Sequence, residues 1–565
     1  LRLFFDMAFP NGLVDLVEIL ALHGVEDAVI CPGSRNAPIM LALARNPTIK
    51  CYSISDERSA AFFALGLSLK SHKPTIVCCT SGSAGLNFAP GIVEAFFQEI
   101  PIIVLTADRP KEWIGQWDGQ TIYQENLFGK HVKGFWDFNT QNKQSEEDIL
   151  SQISACFIHS MAEPKGPVHI NIPISEPFYP ELKEDLPITQ ISSVKKFNVE
   201  SKVLNKEEKN FIQQHITQSK NILVTVGQNE KNEEFSSLIK ELIHLGIPVI
   251  GDSTANLPNE CLLYHDLILV NEELWPSLKP DLHIHFGKSF VSKRIKQFLR
   301  SQKPQQSWLI HPNPIEKPDP FQCLTRIFNV PATQFLKELI SLHSNKSDEF
   351  YQKWLIEKYH IIKKQKEFNQ SKNWTEIYIF NYLTKILNEN PADLHVANSL
   401  AVRYLNWTEE QIDQLEIFSN RGTSGIDGCL STMVGASQRN DHLSISIIGD
   451  VAFHYDKNAL WNNYISTNVR IIVFNNQGGG IFRNLAGAKH LPELEEFMET
   501  KQMFTAENTA KDAQINYFGV SNWEDLNQKL PTFLSQSTKA GILEIFTSSL
   551  ENAEELKIYM DLIRA

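Results

Sequence analysis

Short apolar runs recur along this chain, each beside a stretch of helical period, and that alternation limits its fold more than any other feature. Leu13, Leu16, Val17 and Leu20 form a helical stripe that stops at Gly24, and Ala28-Val29-Ile30 then reads as a buried strand. Thr75-Ile76-Val77-Cys78-Cys79, Ile102-Ile103-Val104-Leu105 and Val168-His169-Ile170-Asn171-Ile172-Pro173 repeat the pattern. Strands that are apolar throughout, separated by helices, predict parallel sheets covered on both faces, an α/β fold of the doubly wound kind.

The pattern returns twice more. A polar, irregular stretch from about 180 to 200 reads as a linker, and strands follow near Ile222–Val226, Val249–Ile250, Leu282–Phe286 and Trp308–Ile310. Residues 344–372 are charged and helical in period, predicting a bridging helix, and further strands fall near Leu394–Ala397, Ile417–Phe418, Leu443–Ile448 and Val469–Phe474. Three α/β units result, over 1–182, 198–345 and 373–565, as the length of 565 residues suggests.

Composition narrows the function. Lys and Arg total 53 against 66 Asp and Glu, a net charge of −13, which disfavours nucleic acid or an anionic membrane as partner. No window is apolar for the roughly 18 residues that span a bilayer, so no membrane insertion is expected. The opening LRLFFDMAFPNGLVDLVEIL lacks the basic segment and cleavage site of a signal peptide, and also an initiator Met, so a few residues are expected to precede it. Eight scattered cysteines without a CxxC pair fit reduced thiols and a cytoplasmic setting.

The strongest local signal is Gly449-Asp450, followed by Asn475-Asn476-Gln477-Gly478-Gly479-Gly480. Each element alone reads as a turn, but here both follow predicted parallel strands, at the ends where open α/β sheets bind ligands. Asp450 offers an anionic oxygen, Asn476 an amide oxygen and Gly478 a backbone carbonyl. Such sparse oxygen ligation suits Mg²⁺, with Mn²⁺ as the alternative, whose shell water and diphosphate complete. The glycines let backbone approach phosphate closely.

This Gly-Asp, spacer, Asn-Asn pattern resembles the thiamine diphosphate-binding signature, and the resemblance implies a carboxylic acid for the aminopyrimidine ring. Glu57, just after the strand CYSIS and opening an apolar helix, is the implied acid; the adjacent Asp56 has no matching role. Cys31-Pro32-Gly33-Ser34-Arg35-Asn36-Ala37-Pro38, Thr106-Ala107-Asp108-Arg109-Pro110, Asn398-Ser399-Leu400 with Arg403, Asn420-Arg421-Gly422-Thr423-Ser424-Gly425-Ile426-Asp427-Gly428 and Gly480-Ile481-Phe482 extend it. Together these resemble the 2-succinyl-5-enolpyruvyl-6-hydroxy-3-cyclohexene-1-carboxylate synthases, thiamine diphosphate-dependent transferases of menaquinone biosynthesis.

The resemblance implies pyrimidine-binding, central and diphosphate-binding domains, in that order. It also implies decarboxylation of 2-oxoglutarate, then addition of the resulting carbanion equivalent to isochorismate. Glu57 and Gln120 are the implied catalytic residues; Ser81, Gly82, Ile426, Gly449, Asp450, Asn476 and Gly478 join Glu57 on the cofactor, with Ile426 the apolar wedge that bends it. Ser34, Arg35, Arg109, Gln120, Lys293, Arg294, Ser399, Arg403, Arg421, Ile481 and Phe482 are the implied substrate contacts. The family often has Asn where Gly119 stands, which bears on hydrogen bonding beside Gln120. A homodimer or homotetramer is implied, because the domains sharing one cofactor belong to different chains.

The residues support dicarboxylate substrates independently. Arginine binds planar carboxylates bidentately, and Arg35, Arg109, Arg403 and Arg421 are expected in Gly- or Ser-rich loops or at strand ends. His283 and His285, alternating in DLHIHF, are expected to be sheet packing, since two ligands without a third make no zinc site. No His-His pair is present to deliver protons as simple 2-oxo acid decarboxylases do. The alternatives are another thiamine diphosphate decarboxylase or acetolactate synthase-like ligase, and a non-catalytic metabolite-binding regulator on the same fold. A Rossmann dehydrogenase is weaker still, because no GxGxxG follows the first strand.

Overall fold

Burial of the apolar runs on both faces produces three all-parallel sheets in the computed structural model, which describes residues 9–142, 144–176, 178–179, 189, 191–195, 202–342, 348–408, 412–485, 487–535 and 537–565. The first sheet runs, edge to edge, Lys50–Ser53, Asp27–Ile30, Thr75–Cys79, Ile102–Asp108, Val168–Pro173 and Phe135–Asp137. The second runs Arg326–Phe328, Gln306–Ile310, Leu282–Phe286, Ile222–Val226 and Val249–Gly251. The third runs Leu415–Phe418, Ala392–Val396, Leu443–Gly449, Val469–Asn475, Gly541–Phe546 and Asn516–Val520. The expected α/β class and doubly wound sheets are therefore present.

Strand order reverses within the first and third sheets, and each reversal opens a crevice at the carboxyl ends of two neighbouring strands. In the first sheet it lies between Asp27–Ile30 and Thr75–Cys79, whose following loops carry Ser34-Arg35 and Ser81-Gly82. In the third it lies between Ala392–Val396 and Leu443–Gly449, followed by Ser399 and Asp450. Gly449 pairs with Phe474 across the ladder, so the two halves of the Gly-Asp/Asn-Asn pattern leave the sheet at nearly the same level.

The helix Glu57–Ser71 binds the first sheet's unit to the third. Its residues from Ser59 through Ser68 are all buried, because a second helix, Cys429–Ala436, lies against it. Backbone meets backbone there: a Cβ at Gly66 would fall 2.0 Å from the Thr432 carbonyl oxygen, and one at Gly435 would fall 2.1 Å from that of Phe63. The bridging helix expected over 344–372 runs Glu349–Phe368, buries Trp354 and Phe368 and packs on the C-terminal helix Ser549–Arg564; residues 344–347 lie outside the described residues. So does most of the stretch read as a linker.

Four strands carried no legible signal. Phe135–Asp137 and Arg326–Phe328 are three-residue edges, and Asn516–Val520 is half-buried up to its last residue. Gly541–Phe546 buries Glu544 in its middle. That carboxylate is satisfied by Asn475 Nδ2 at 2.7 Å and the Tyr517 hydroxyl at 2.7 Å, as a buried charge requires. His283 and His285 do pack within their sheet: both rings hydrogen-bond Thr225 Oγ1 at 2.9 Å, and burial lowers both imidazole pKa values.

Candidate active site

Asp450 opens the helix Asp450–Tyr455 and is almost wholly buried. Burial pushes its carboxyl up to about 6, against the pull of Gln502, which donates from Nε2 at 2.8 Å. The Gly478 N–H also points at this carboxylate. Asn476 donates from Nδ2 to Glu376 Oε1 at 2.7 Å, while its own Oδ1 is buried without a hydrogen-bond partner. A buried amide oxygen without a donor costs free energy unless something else satisfies it. A Cβ at Gly478 would sit 2.7 Å from the Glu499 carbonyl oxygen, so only glycine fits the turn. One carboxylate, one orphaned amide oxygen and a backbone free of side chain fit a hard divalent cation carrying diphosphate.

Glu57 starts its helix half-buried, and burial raises its carboxyl above the ordinary glutamate range. Asp56 does different work. It caps the helix by accepting the Ser59 N–H at 3.1 Å and accepts from Asn458 Nδ2 at 2.6 Å. Ser81 is buried with its hydroxyl unpartnered. Gly82 is held by Gln124, whose Oε1 accepts the Gly82 N–H at 2.9 Å. Gln120 lies against this turn, since a Cβ on Gly82 would come within 3.2 Å of its Cα. Arg109 closes the same corner, donating to the Gly119 carbonyl at 2.7 Å and 3.2 Å. The contact at Gly119 is thus made by backbone, which every residue has, and a Cβ there would meet nothing within 4 Å. Arg35 is buried, donates to the Ile174 carbonyl and lies over the Phe178 ring at 4.6 Å.

A cavity of about 880 Å³ gathers Lys293, Arg294, Arg403, Ile481 and Phe482. Lys293 and Arg294 open the helix Lys293–Gln302, and Asp266 holds Arg294 at 2.8 Å. Arg403 departs from expectation. It lies in the last turn of the helix Leu400–Asn406, not in a loop or at a strand end, and its guanidinium reaches back to the Ser399 carbonyl. Ser399 itself adopts φ 73°, a left-handed conformation costly for serine. Arg421 donates to Asn398 Oδ1 at 2.6 Å, and burial lowers the pKa of both Arg403 and Arg421. Ile426 is partly exposed on the loop that follows Arg421.

Three functional partners were not legible in the sequence: Glu376, Gln124 and Glu94. Glu376 is buried beside Asn476; desolvation, with the nearby Asp450 charge, pushes its carboxyl up to about 7 against the pull of the Asn476 hydrogen bond. Glu94 accepts the backbone N–H groups of Gly422 and Thr423. Nothing in the sequence near any of the three marks it.

Comparison with known proteins agrees with this geometry. Residues 11–130 match the family described as thiamine pyrophosphate enzyme, N-terminal TPP binding domain, and residues 191–394 match the middle domain of thiamine pyrophosphate enzymes. A protein of Cytophaga hutchinsonii named 2-succinyl-5-enolpyruvyl-6-hydroxy-3-cyclohexene-1-carboxylate synthase is 41% identical, over 98% of this chain and 99% of its own length. Proteins of the same name from Flavobacterium johnsoniae and Phocaeicola vulgatus are 38% and 35% identical, over 96% and 97% of this chain and 97% and 98% of their own.

Proposed function

The chain belongs to the 2-succinyl-5-enolpyruvyl-6-hydroxy-3-cyclohexene-1-carboxylate synthases, and from that premise we propose how its residues divide the work. It is a thiamine diphosphate-dependent transferase of menaquinone biosynthesis. It joins the succinyl semialdehyde carbanion equivalent, formed from 2-oxoglutarate with loss of CO₂, to isochorismate. Bound thiamine diphosphate supplies the nucleophilic carbon and the electron sink.

Asp450, Asn476 and the Gly478 carbonyl would hold Mg²⁺ or Mn²⁺, which would neutralise the diphosphate, with Gly449 beside them. The observation that carries this assignment is the buried, partnerless Asn476 Oδ1 beside the buried Asp450. Ser81 and Gly82 receive the ring end of the cofactor and Ile426 wedges it. Glu57 would hold and exchange a proton with the ring of the bound cofactor, and burial, which raises its carboxyl above the ordinary glutamate range, favours the proton-holding form. Gln120 orients the incoming substrate.

Arg403 with Ser399 takes 2-oxoglutarate, whose distal carboxylate separates it from pyruvate. Ser34, Arg35, Arg109, Lys293 and Arg294 take isochorismate. Arg421, Ile481 and Phe482 close the pocket around both. The units 1–182, 198–345 and 373–565 act as pyrimidine-binding, central and diphosphate-binding domains.

The working unit is a homodimer or homotetramer. Apolar side chains flanking the site stand in solvent in the single chain, Trp117 at 100%, Met503 at 76% and Phe504 at 71% exposure, and a second copy would cover them. The enzyme acts in the cytoplasm, in keeping with eight cysteines that are all free thiols. Among the described residues no helix is long and apolar enough to cross a membrane.

The deciding experiment supplies 2-oxoglutarate and isochorismate with thiamine diphosphate and Mg²⁺, and follows CO₂ release and the mass of the adduct. Stoichiometric CO₂ and a single succinyl adduct of isochorismate are expected. Equal use of pyruvate would favour a general 2-oxo acid ligase.

A further inference from the structure

An amide that ligates a cation has to face it with oxygen. Rotated by half a turn, Asn476 would present its NH₂ group, which repels a cation and supplies no lone pair. Nothing in the Asn-Asn pattern fixes that choice, so it must come from the surroundings.

Glu376 supplies it. The residue opens the helix Glu376–Leu387, is 3% exposed, and has its backbone N–H held by Asn552 Oδ1 at 2.9 Å. Its Oε1 receives Asn476 Nδ2 at 2.7 Å and the Thr547 hydroxyl at 3.3 Å. Oε1 accepts from both Asn476 and the Thr547 hydroxyl, so it is the NH₂ side of the amide that is satisfied against it. The amide oxygen is thereby turned away from Glu376, which is how Oδ1 comes to be buried without a donor.

We propose that Glu376 is the positioning residue of the metal centre, fixing the Asn476 amide with its oxygen toward the cation. This rests on the reading of Asn476 as a ligand. The effect runs through hydrogen-bond geometry, not through the negative charge of Glu376 acting on the cation at a distance.

The test measures Mn²⁺ binding by electron paramagnetic resonance in the presence of thiamine diphosphate, without substrate. Glu376→Leu removes the acceptor and the charge; its dissociation constant should rise about 10–100-fold, the usual loss when a residue that orients a metal ligand is removed. Glu376→Gln keeps a carbonyl acceptor and loses the charge, so it should stay within about threefold of the native protein. Equal weakening by Gln and Leu would overturn the proposal in favour of simple charge attraction, and native binding in the Leu variant would overturn it outright. Asn476→Ala separates the two levels: if it binds Mn²⁺ as the native chain does, the metal assignment itself fails.

Should Glu376→Leu not fold, exchange of donor and acceptor still decides. Asn476→Asp alone sets two carboxylates against each other, whereas Glu376→Gln added to it restores a donor facing an acceptor. The double variant should bind Mn²⁺ more tightly than Asn476→Asp, and no recovery would overturn the proposal.

Discussion

Glu94 accepts the backbone N–H of Thr423 at 2.6 Å, so a helix of the first sheet's unit grips the loop that carries Arg421 and Ile426 in the third. The same carboxylate takes the Gly422 N–H at 2.7 Å, and Gln98 supports it at 2.6 Å. Hydrogen bonds to a charged group contribute about 1.5–3 kcal/mol each. Glu94→Ala should therefore loosen residues 420–428 and speed amide exchange in that peptide by at least about tenfold, read by hydrogen-exchange mass spectrometry. Unchanged protection there would show that the loop holds itself.

Glu57→Gln keeps shape and hydrogen bonding but cannot pass a proton. Turnover should fall by about 10²–10⁴-fold with the thermal transition unmoved. Native-like exchange of the cofactor's ring proton in this variant would remove Glu57 from its role. Asp450→Ala should fail differently, losing thiamine diphosphate affinity. Mixed with Glu57→Gln under subunit exchange, it should regain some activity, since one site of a heterodimer then holds both native groups. No recovery despite proven exchange would argue against a shared site.

The two half-reactions should separate the arginines. A charge-assisted hydrogen bond to the distal carboxylate is worth about 1.5–3 kcal/mol, or roughly 10–150-fold. Arg403→Ala should slow decarboxylation of 2-oxoglutarate by that order and narrow the preference over pyruvate. Arg109→Ala should spare decarboxylation and slow addition to isochorismate. Stopped-flow spectroscopy resolves the steps, and equal slowing of the first step alone in both variants would dissolve the division.

Acid should strain the junction of the first two units before it reaches the sheets. Burial would raise the Glu99 carboxyl, but the Lys288 ammonium at 3.4 Å and the His311 ring at 3.1 Å overcome it and hold it down to about 2. A carboxyl depressed on folding contributes stability that is fully present above its unfolded pKa of about 4.3 and is lost as pH falls toward its folded value. Glu99→Gln should therefore flatten the decline in stability between about pH 4.3 and 2 measured by urea unfolding, while lowering stability at pH 7. Parallel native and variant curves would discount this ion pair.

Strands of the sheet interiors were legible because Val, Ile and Leu recur there in unbroken runs, as in the Ile102-Ile103-Val104-Leu105 of the strand Ile102–Asp108. Edge strands such as Arg326–Phe328 were not, since three residues leave no period to read. The site divides the same way. Asp450 and Asn476 stand in a recognisable pattern because each must follow a strand, whereas Glu376 lies 100 residues from Asn476 and Glu94 lies 329 residues from Thr423. Nothing local distinguishes those two glutamates from acids that simply open or line a helix. The Arg403 misplacement has a like cause: Ser399 in the left-handed region lets the helix begin immediately after the Asn-Ser turn, which a loop-like composition conceals.

Trp117 stands wholly in solvent, three residues before Gln120 and next to Asp118, whose carboxylate lies 3.4 Å from Arg109. An indole so placed fluoresces at the wavelength of the free amino acid and is open to acrylamide. Covering it shifts emission to the blue and shuts the quencher out. The difference between native protein and Trp117→Phe isolates that one indole among the ten in the chain. If a second chain covers this corner, as proposed, the protein carries an optical reporter at the rim of its proposed site, able to time that pairing before any substrate is added.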